Sequence, residues 1–171
     1  EFDYTDAASE EEAAKALPKL LEKYPTPKSC AALLEMLRKK RPYPSKVPDR
    51  ITLDFAGEDG KTRQFTWILP SKYAKGKPVG VLFFLHGAVR QPAPGGGAGE
   101  AGMFAPAVRS LNVVMVGPST YDGVEWGSPA CRGLVFHALE VLKQNVNVDE
   151  DRVWIAGDSD GGRGTYNIVE T

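Results

Sequence analysis

Cysteine and histidine are scarce in this sequence, and neither sign of charge is in excess. The two cysteines, Cys30 and Cys131, stand in no metal-ligand spacing, so no metal site is expected. They leave open one disulfide or two separate buried thiols, and therefore do not fix the compartment. Basic and acidic residues number 21 and 22, a near balance that offers no basic face to a nucleic acid. No apolar run approaches the ~20 residues of a membrane-spanning helix, so no membrane partner is expected. No internal repeat stands out. No signal peptide is visible, and a mature chain would show none.

What is present is ordinary globular composition, with 42% hydrophobic residues over 171 positions, enough for one domain. The first 45 residues or so read as an accessory helical segment. Ser9 and Glu12 make a capping box, so a helix is expected from about Glu10, broken or kinked at Pro18. Pro25 and Pro27 stop it. A second helix is expected from Ser29 to about Lys39, ending in the basic run Lys39–Lys40–Arg41, which reads as a solvated helix end. A proline-rich linker follows.

From Arg50 the apolar period changes to two. Ile51, Leu53 and Phe55 predict one strand, Glu58-Asp59-Gly60 a turn, and Phe65, Trp67 and Leu69 the returning strand of a hairpin. Val79 to Leu85 (VGVLFFL) and Asn112 to Val116 (NVVMV) are apolar throughout, as strands covered on both faces are. Between them, Gln91 to Gly102 holds two prolines and five glycines and is expected to be a mobile loop beside a cleft. It lacks the Gly-Lys-Ser/Thr ending of a phosphate loop, so nucleotide binding is not expected, and no other cofactor is indicated. Met103 to Ser110 is expected to be helical despite Pro106. Ser128-Pro129 is a helix start, after which Cys131, Leu134, Val135, Ala138 and Leu142 recur at helical spacing. His137 lies on this helix and reads as a packing or surface residue.

The stretch that carries chemistry is Arg152 to Thr165, RVWIAGDSDGGRGT. Val153 to Ala156 predict a strand buried on both faces, preceded by a turn at 148–151. Thr165 to Val169 predict the beginning of a helix. Between them stands Gly157-Asp158-Ser159-Asp160-Gly161-Gly162. A serine in a sharp turn between strand and helix brings the residues two before and two after it close together, so both must lack side chains. Gly157 and Gly161 meet that demand. The helix behind the serine offers free N–H groups and its positive dipole end to a developing oxyanion. The motif is one residue from the GDSGG of trypsin-like proteases, but those are β-barrels whose histidine and aspartate precede the serine in a different context. His86-Gly87-Ala88 leaves the apolar strand directly. A loop in that place supplies the second oxyanion donor, expected to be the Ala88 N–H beside that of Asp160, with Val89 as the substitute. His86 is expected to brace this loop rather than act as a base. Trp126, in the loop from Tyr121, has two readings: a wall of the substrate pocket, or local packing.

The order of elements resembles the first part of an α/β-hydrolase, an α/β fold with a mostly parallel sheet and an N-terminal antiparallel hairpin. Through VLFFLHG, the EWGSP segment and NVDEDRVWIAGDSDGGRGT it is similar to feruloyl and acetyl-xylan esterases and to polyhydroxybutyrate-depolymerase-like secreted esterases. The likeness runs from about Arg50 to Thr171 and places the hydrolase core at 46–171. It implies a serine esterase with Ser159 as nucleophile, backbone donors at Ala88 and Asp160, and His86, Gly87, Gly157 and Gly161 in support. The implied substrates are small esters or esters of polysaccharide or polyester, and the implied location is extracellular or periplasmic.

Two departures matter. Asp158 and Asp160 flank the serine with carboxylates, which disfavour an anionic intermediate unless they point away or pair with a cation such as Arg163. Asp158 has precedent in the GDSAG of hormone-sensitive-lipase-like esterases. In this fold the triad acid and histidine follow the serine. Here 12 residues follow Ser159, no histidine among them, and the only acids are Asp160 and Glu170. The expectation is that these residues are the N-terminal part of a longer hydrolase, whose C-terminal segment completes triad and sheet. Without it, the last strand should be an edge with exposed apolar faces. Two other readings stay open: a silent member of the fold used for binding, and a prolyl-oligopeptidase-like serine peptidase.

Overall fold

The computed structural model describes residues 43, 44, 46–91, 96–120 and 122–169, with scattered positions before residue 43. The chain divides into two units, Glu1–Pro42 and Tyr43–Thr171. Pro18 and Lys19 of the first unit are helical, while the Ser9–Glu12 pair, Cys30 and Lys39–Arg41 lie outside the described residues. Glu170 and Tyr121 lie outside them too. Tyr43 belongs to the second unit, where it is buried and its hydroxyl donates to Asn147 Oδ1 at 3.2 Å.

The second unit is a five-stranded sheet with three helices. The strands are β1 (Arg50–Ala56), β2 (Thr62–Ile68), β3 (Val79–Leu85), β4 (Val113–Ser119) and β5 (Val148–Gly157). The helices are α1 (Gly96–Arg109), α2 (Pro129–Asn145) and α3 (Asp160–Val169). The order in the sheet is β1-β2-β4-β3-β5. β1 and β2 form the hairpin that the period-two pattern predicts, with Leu53 opposite Phe65. β2 joins β4 antiparallel, whereas β3 runs parallel to both β4 and β5. The core lies between the sheet and α2, where Trp67, Val81, Leu85, Val116 and Leu134 are buried. Ser128 caps α2, accepting from the Cys131 N–H, and Pro129 follows as its first residue. Every position named from the helical spacing of α2 is buried.

The structure corrects several boundaries. The glycine-rich stretch expected to be a loop is helical from Gly96, so α1 starts seven residues early. The glycines serve packing there: a side-chain carbon on Gly97 would strike the Pro118 carbonyl, and one on Gly117 the backbone of Gly97. β4 continues beyond Val116 through Pro118, which pairs with Phe65 of β2. Proline is tolerated because pairing with β3 has ended at Val116, so no partner on that side needs its missing N–H. β5 begins at Val148, inside the expected turn, and α3 begins at Asp160 rather than near Thr165. β5 is half-buried rather than buried on both faces. It ends the order of the described strands, and Trp154 is 46% exposed on it.

Candidate active site

β5 stops at Gly157 and α3 starts at Asp160, so Asp158 and Ser159 make the whole connection. Ser159 is exposed and has φ 51°. The left-handed region costs a non-glycine residue roughly 1–3 kcal/mol, so surrounding contacts must hold it. Three backbone bonds do so. The Asp158 N–H donates to Leu85 O at 3.2 Å, the Gly161 N–H to Asp158 O at 2.8 Å and the Arg163 N–H to Ser159 O at 3.2 Å. The turn folds back as tightly as the motif requires. A side-chain carbon on Gly157 would lie 2.5 Å from Gly161 O and 2.8 Å from Leu85 O, and one on Gly161 would overlap the Leu85 carbonyl.

The exits of β3 and β5 are neighbours because Leu85 pairs with Gly157. That register brings the His86-Gly87 loop against the serine. A carbon added to Gly87 would lie 3.1 Å from Ser159 Cβ and 3.3 Å from Asp158 O. His86 is fully buried. Its Nε2 accepts from the Thr120 N–H at 2.9 Å, which places the proton on Nδ1, 2.6 Å from Gly87 O. Burial pushes the imidazole below its usual range, against the opposing effects of the Gly87 carbonyl and the Asp160 charge. With both nitrogens engaged inside the core, a neutral His86 braces the loop. His137 is exposed on α2; its ring lies tilted on Phe55 and edge-on to Phe65, at centroid distances of 4.8 and 6.0 Å. Neither histidine is placed as a base for Ser159.

Ala88 is exposed with φ 53°, and its carbonyl accepts from the Gln91 N–H at 3.0 Å. Val89 is buried; its N–H donates to Asp160 Oδ2 at 3.3 Å and its carbonyl accepts from the Gly123 N–H at 3.1 Å. The acid after the serine is therefore turned onto the loop backbone. No ion pair joins Arg163 to Asp158 or Asp160 among the described residues. Trp126 is 1% exposed; its Nε1–H donates to His86 O at 2.9 Å and its ring packs edge-on against the imidazole. With Val89, Asp160, Arg163 and Asn167 it lines a cavity of about 10 Å³. Trp126 thus packs against the loop through His86.

Sequence reasoning passed over three contributors. Thr120, directly after β4, holds His86, while its hydroxyl donates to Asp122 Oδ1 at 3.0 Å. Arg63 of β2, its side chain 3% exposed, binds Asp122 at 2.8 Å and Asp59 at 2.7 Å. Glu100 of α1 lies near Asp158, and burial followed by the Asp158 charge raises its carboxyl, opposed by the Gly87 N–H. A buried arginine in a hairpin strand was the available signal; the others depend on which loops meet. Cys131 is a buried free thiol, 3.5 Å from Thr120 Oγ1. Among the described residues no cluster of metal-ligating side chains occurs, and no helix is long and apolar enough to cross a membrane.

The chain matches no protein-family model and no curated protein. It does match solved structures. An acetyl xylan esterase from Aspergillus awamori is 14% identical with a TM-score of 0.56, over 71% of this chain and 46% of that one. A poly(3-hydroxybutyrate) depolymerase from Bordetella parapertussis is 18% identical with a TM-score of 0.56, over 71% and 47%. An S-formylglutathione hydrolase from Agrobacterium tumefaciens is 19% identical with a TM-score of 0.55, over 72% and 55%. The chain thus spans about half the length of these structures. At such identities the likeness is one of fold: the second unit has the α/β-hydrolase architecture.

Proposed function

We propose that the polypeptide carrying these residues hydrolyses carboxylic esters, with Ser159 as its nucleophile. The Ser159 hydroxyl attacks the ester carbonyl, its proton passes to the departing alcohol through a base, and an acyl-enzyme remains. Water then releases the acid and restores the hydroxyl. The backbone N–H groups of Ala88 and Asp160 stabilise the oxyanion of each tetrahedral intermediate. The observation that carries the reading is Ser159 itself: exposed, held at φ 51° between a strand and a helix, and seated against Gly87 of the adjacent loop. Since His86 and His137 are both committed elsewhere, the base and its acid partner come from outside the described residues. The fold neighbours are named for acetyl xylan, poly(3-hydroxybutyrate) and S-formylglutathione, and the substrate class drawn from them is an ester of a small molecule, polysaccharide or polyester.

The test is intact mass of the native polypeptide before and after exposure to a fluorophosphonate. One adduct, abolished by Ser159→Ala, is the expected result. A wild type that takes up no adduct and hydrolyses no p-nitrophenyl ester would sink the reading and leave a binding role.

A further inference from the structure

We infer that the Asp160 side chain is a positioning residue, tying the Val89 amide to the start of α3 so that the Ala88 amide faces the serine. The inference rests on the esterase reading above. Two consecutive amides leave the His86-Gly87 loop, and either could in principle meet an oxyanion. The structure treats them differently. Val89 is buried, with its N–H given to Asp160 Oδ2 and its carbonyl bonded to the Gly123 N–H. Ala88 is exposed, and among the described residues nothing accepts from its N–H. It also holds φ 53°, a conformation an alanine keeps only when its neighbours fix it.

The Asp160–Val89 contact is the side-chain part of that fixture, beside the backbone bonds from Gln91 N–H to Ala88 O and from Gly123 N–H to Val89 O. It spans 71 residues of sequence, and it joins the loop to the same residue whose own N–H is the other proposed donor. One residue thereby links both halves of the proposed oxyanion site. This answers why an acid is tolerated after the nucleophile. Its Oδ2 accepts from a backbone N–H at 3.3 Å, which draws the carboxylate toward the loop.

Two variants separate this role from a general effect on folding. Asp160→Ala removes the acceptor; Asp160→Asn keeps an acceptor oxygen and drops the charge. The readouts are amide hydrogen exchange at Val89, fluorophosphonate labelling rate and melting temperature, all on the native polypeptide. Asp160→Ala should raise Val89 exchange at least ten-fold and slow labelling at least ten-fold. Asp160→Asn should be labelled at least ten-fold faster than Asp160→Ala and keep Val89 protected. Unchanged Val89 exchange in Asp160→Ala would overturn the inference alone, as would faster labelling, which would make the carboxylate a plug. A wild type that is never labelled would overturn the esterase reading and the positioning role together.

Discussion

The N–H of Thr120 donates to Nε2 of His86 at 2.9 Å, across 34 residues and between the ends of two adjacent strands. One hydrogen bond thereby chooses the tautomer and holds the buried His86, in the loop beside the Ser159 turn, in a structural place. The Thr120 hydroxyl bonds Asp122, and Asp122 bonds Arg63, so the loop next to Ser159 is anchored back to the β1–β2 hairpin.

His86 should therefore titrate below the ordinary imidazole range. Its folded pKa is depressed, so the unfolded chain takes up the proton first, and stability falls as pH drops below about 6.5. Imidazole nitrogen shifts should show Nδ1–H and a neutral ring at pH 7. A ring already charged there would contradict the tautomer.

Ser159→Gly should stabilise the protein by about 1 kcal/mol while abolishing labelling, because glycine occupies φ 51° without strain. Ser159→Ala keeps the strain and should change stability little. Urea unfolding of the two variants separates strain from chemistry; equal stability would mean that the turn stores none.

Gly161→Ala and Gly99→Ala should move stability in opposite directions. The first drives a methyl into the backbone of Leu85 and should cost about 2 kcal/mol or more, or stop folding. The second sits in α1 with nothing within 4 Å and should gain up to about 1 kcal/mol from helix propensity. Thermal melts of both suffice.

Arg63→Met should cost roughly 2–3 kcal/mol, because it strands two carboxylates whose guanidinium partner is 3% exposed, though the carboxylates themselves are partly solvated. The pH dependence follows from Asp59, whose carboxyl the Arg63 hydrogen bonds hold at about 2, below the usual 3.8. Asp122 is also lowered: burial opposes this, but bonds from Thr120 and Lys61 and the Arg63 charge outweigh it. Depressed carboxyls stabilise above their unfolded values and lose that contribution as pH falls through the folded ones. The stability difference between wild type and Asp59→Asn should be full at pH 5–7 and shrink between about pH 4 and 2. A pH-independent difference would show that the bond carries no charge coupling.

Much of this was local enough to be legible in the sequence. The alternation of Ile51, Leu53 and Phe55 and the apolar run Val79–Leu85 fix their strands because their side chains must be buried whatever the partner. Ser128-Pro129 fixes the start of α2, since the cap bonds within one turn. The serine turn was readable for a similar reason: the fold-back occurs within five residues, and only glycine fits at 157 and 161. What tertiary structure alone decided is everything that depends on which segments meet. Gly96–Gly102 reads as loop by composition and is helix because β4 offers Gly117 to pack against. The apolar run of β5 reads as doubly buried and is half-buried because of its place in the sheet. The partners of His86, Thr120, Arg63 and Asp160 were set by bonds spanning 34 to 71 residues, and no local spacing encodes a hydrogen bond closed by a strand order.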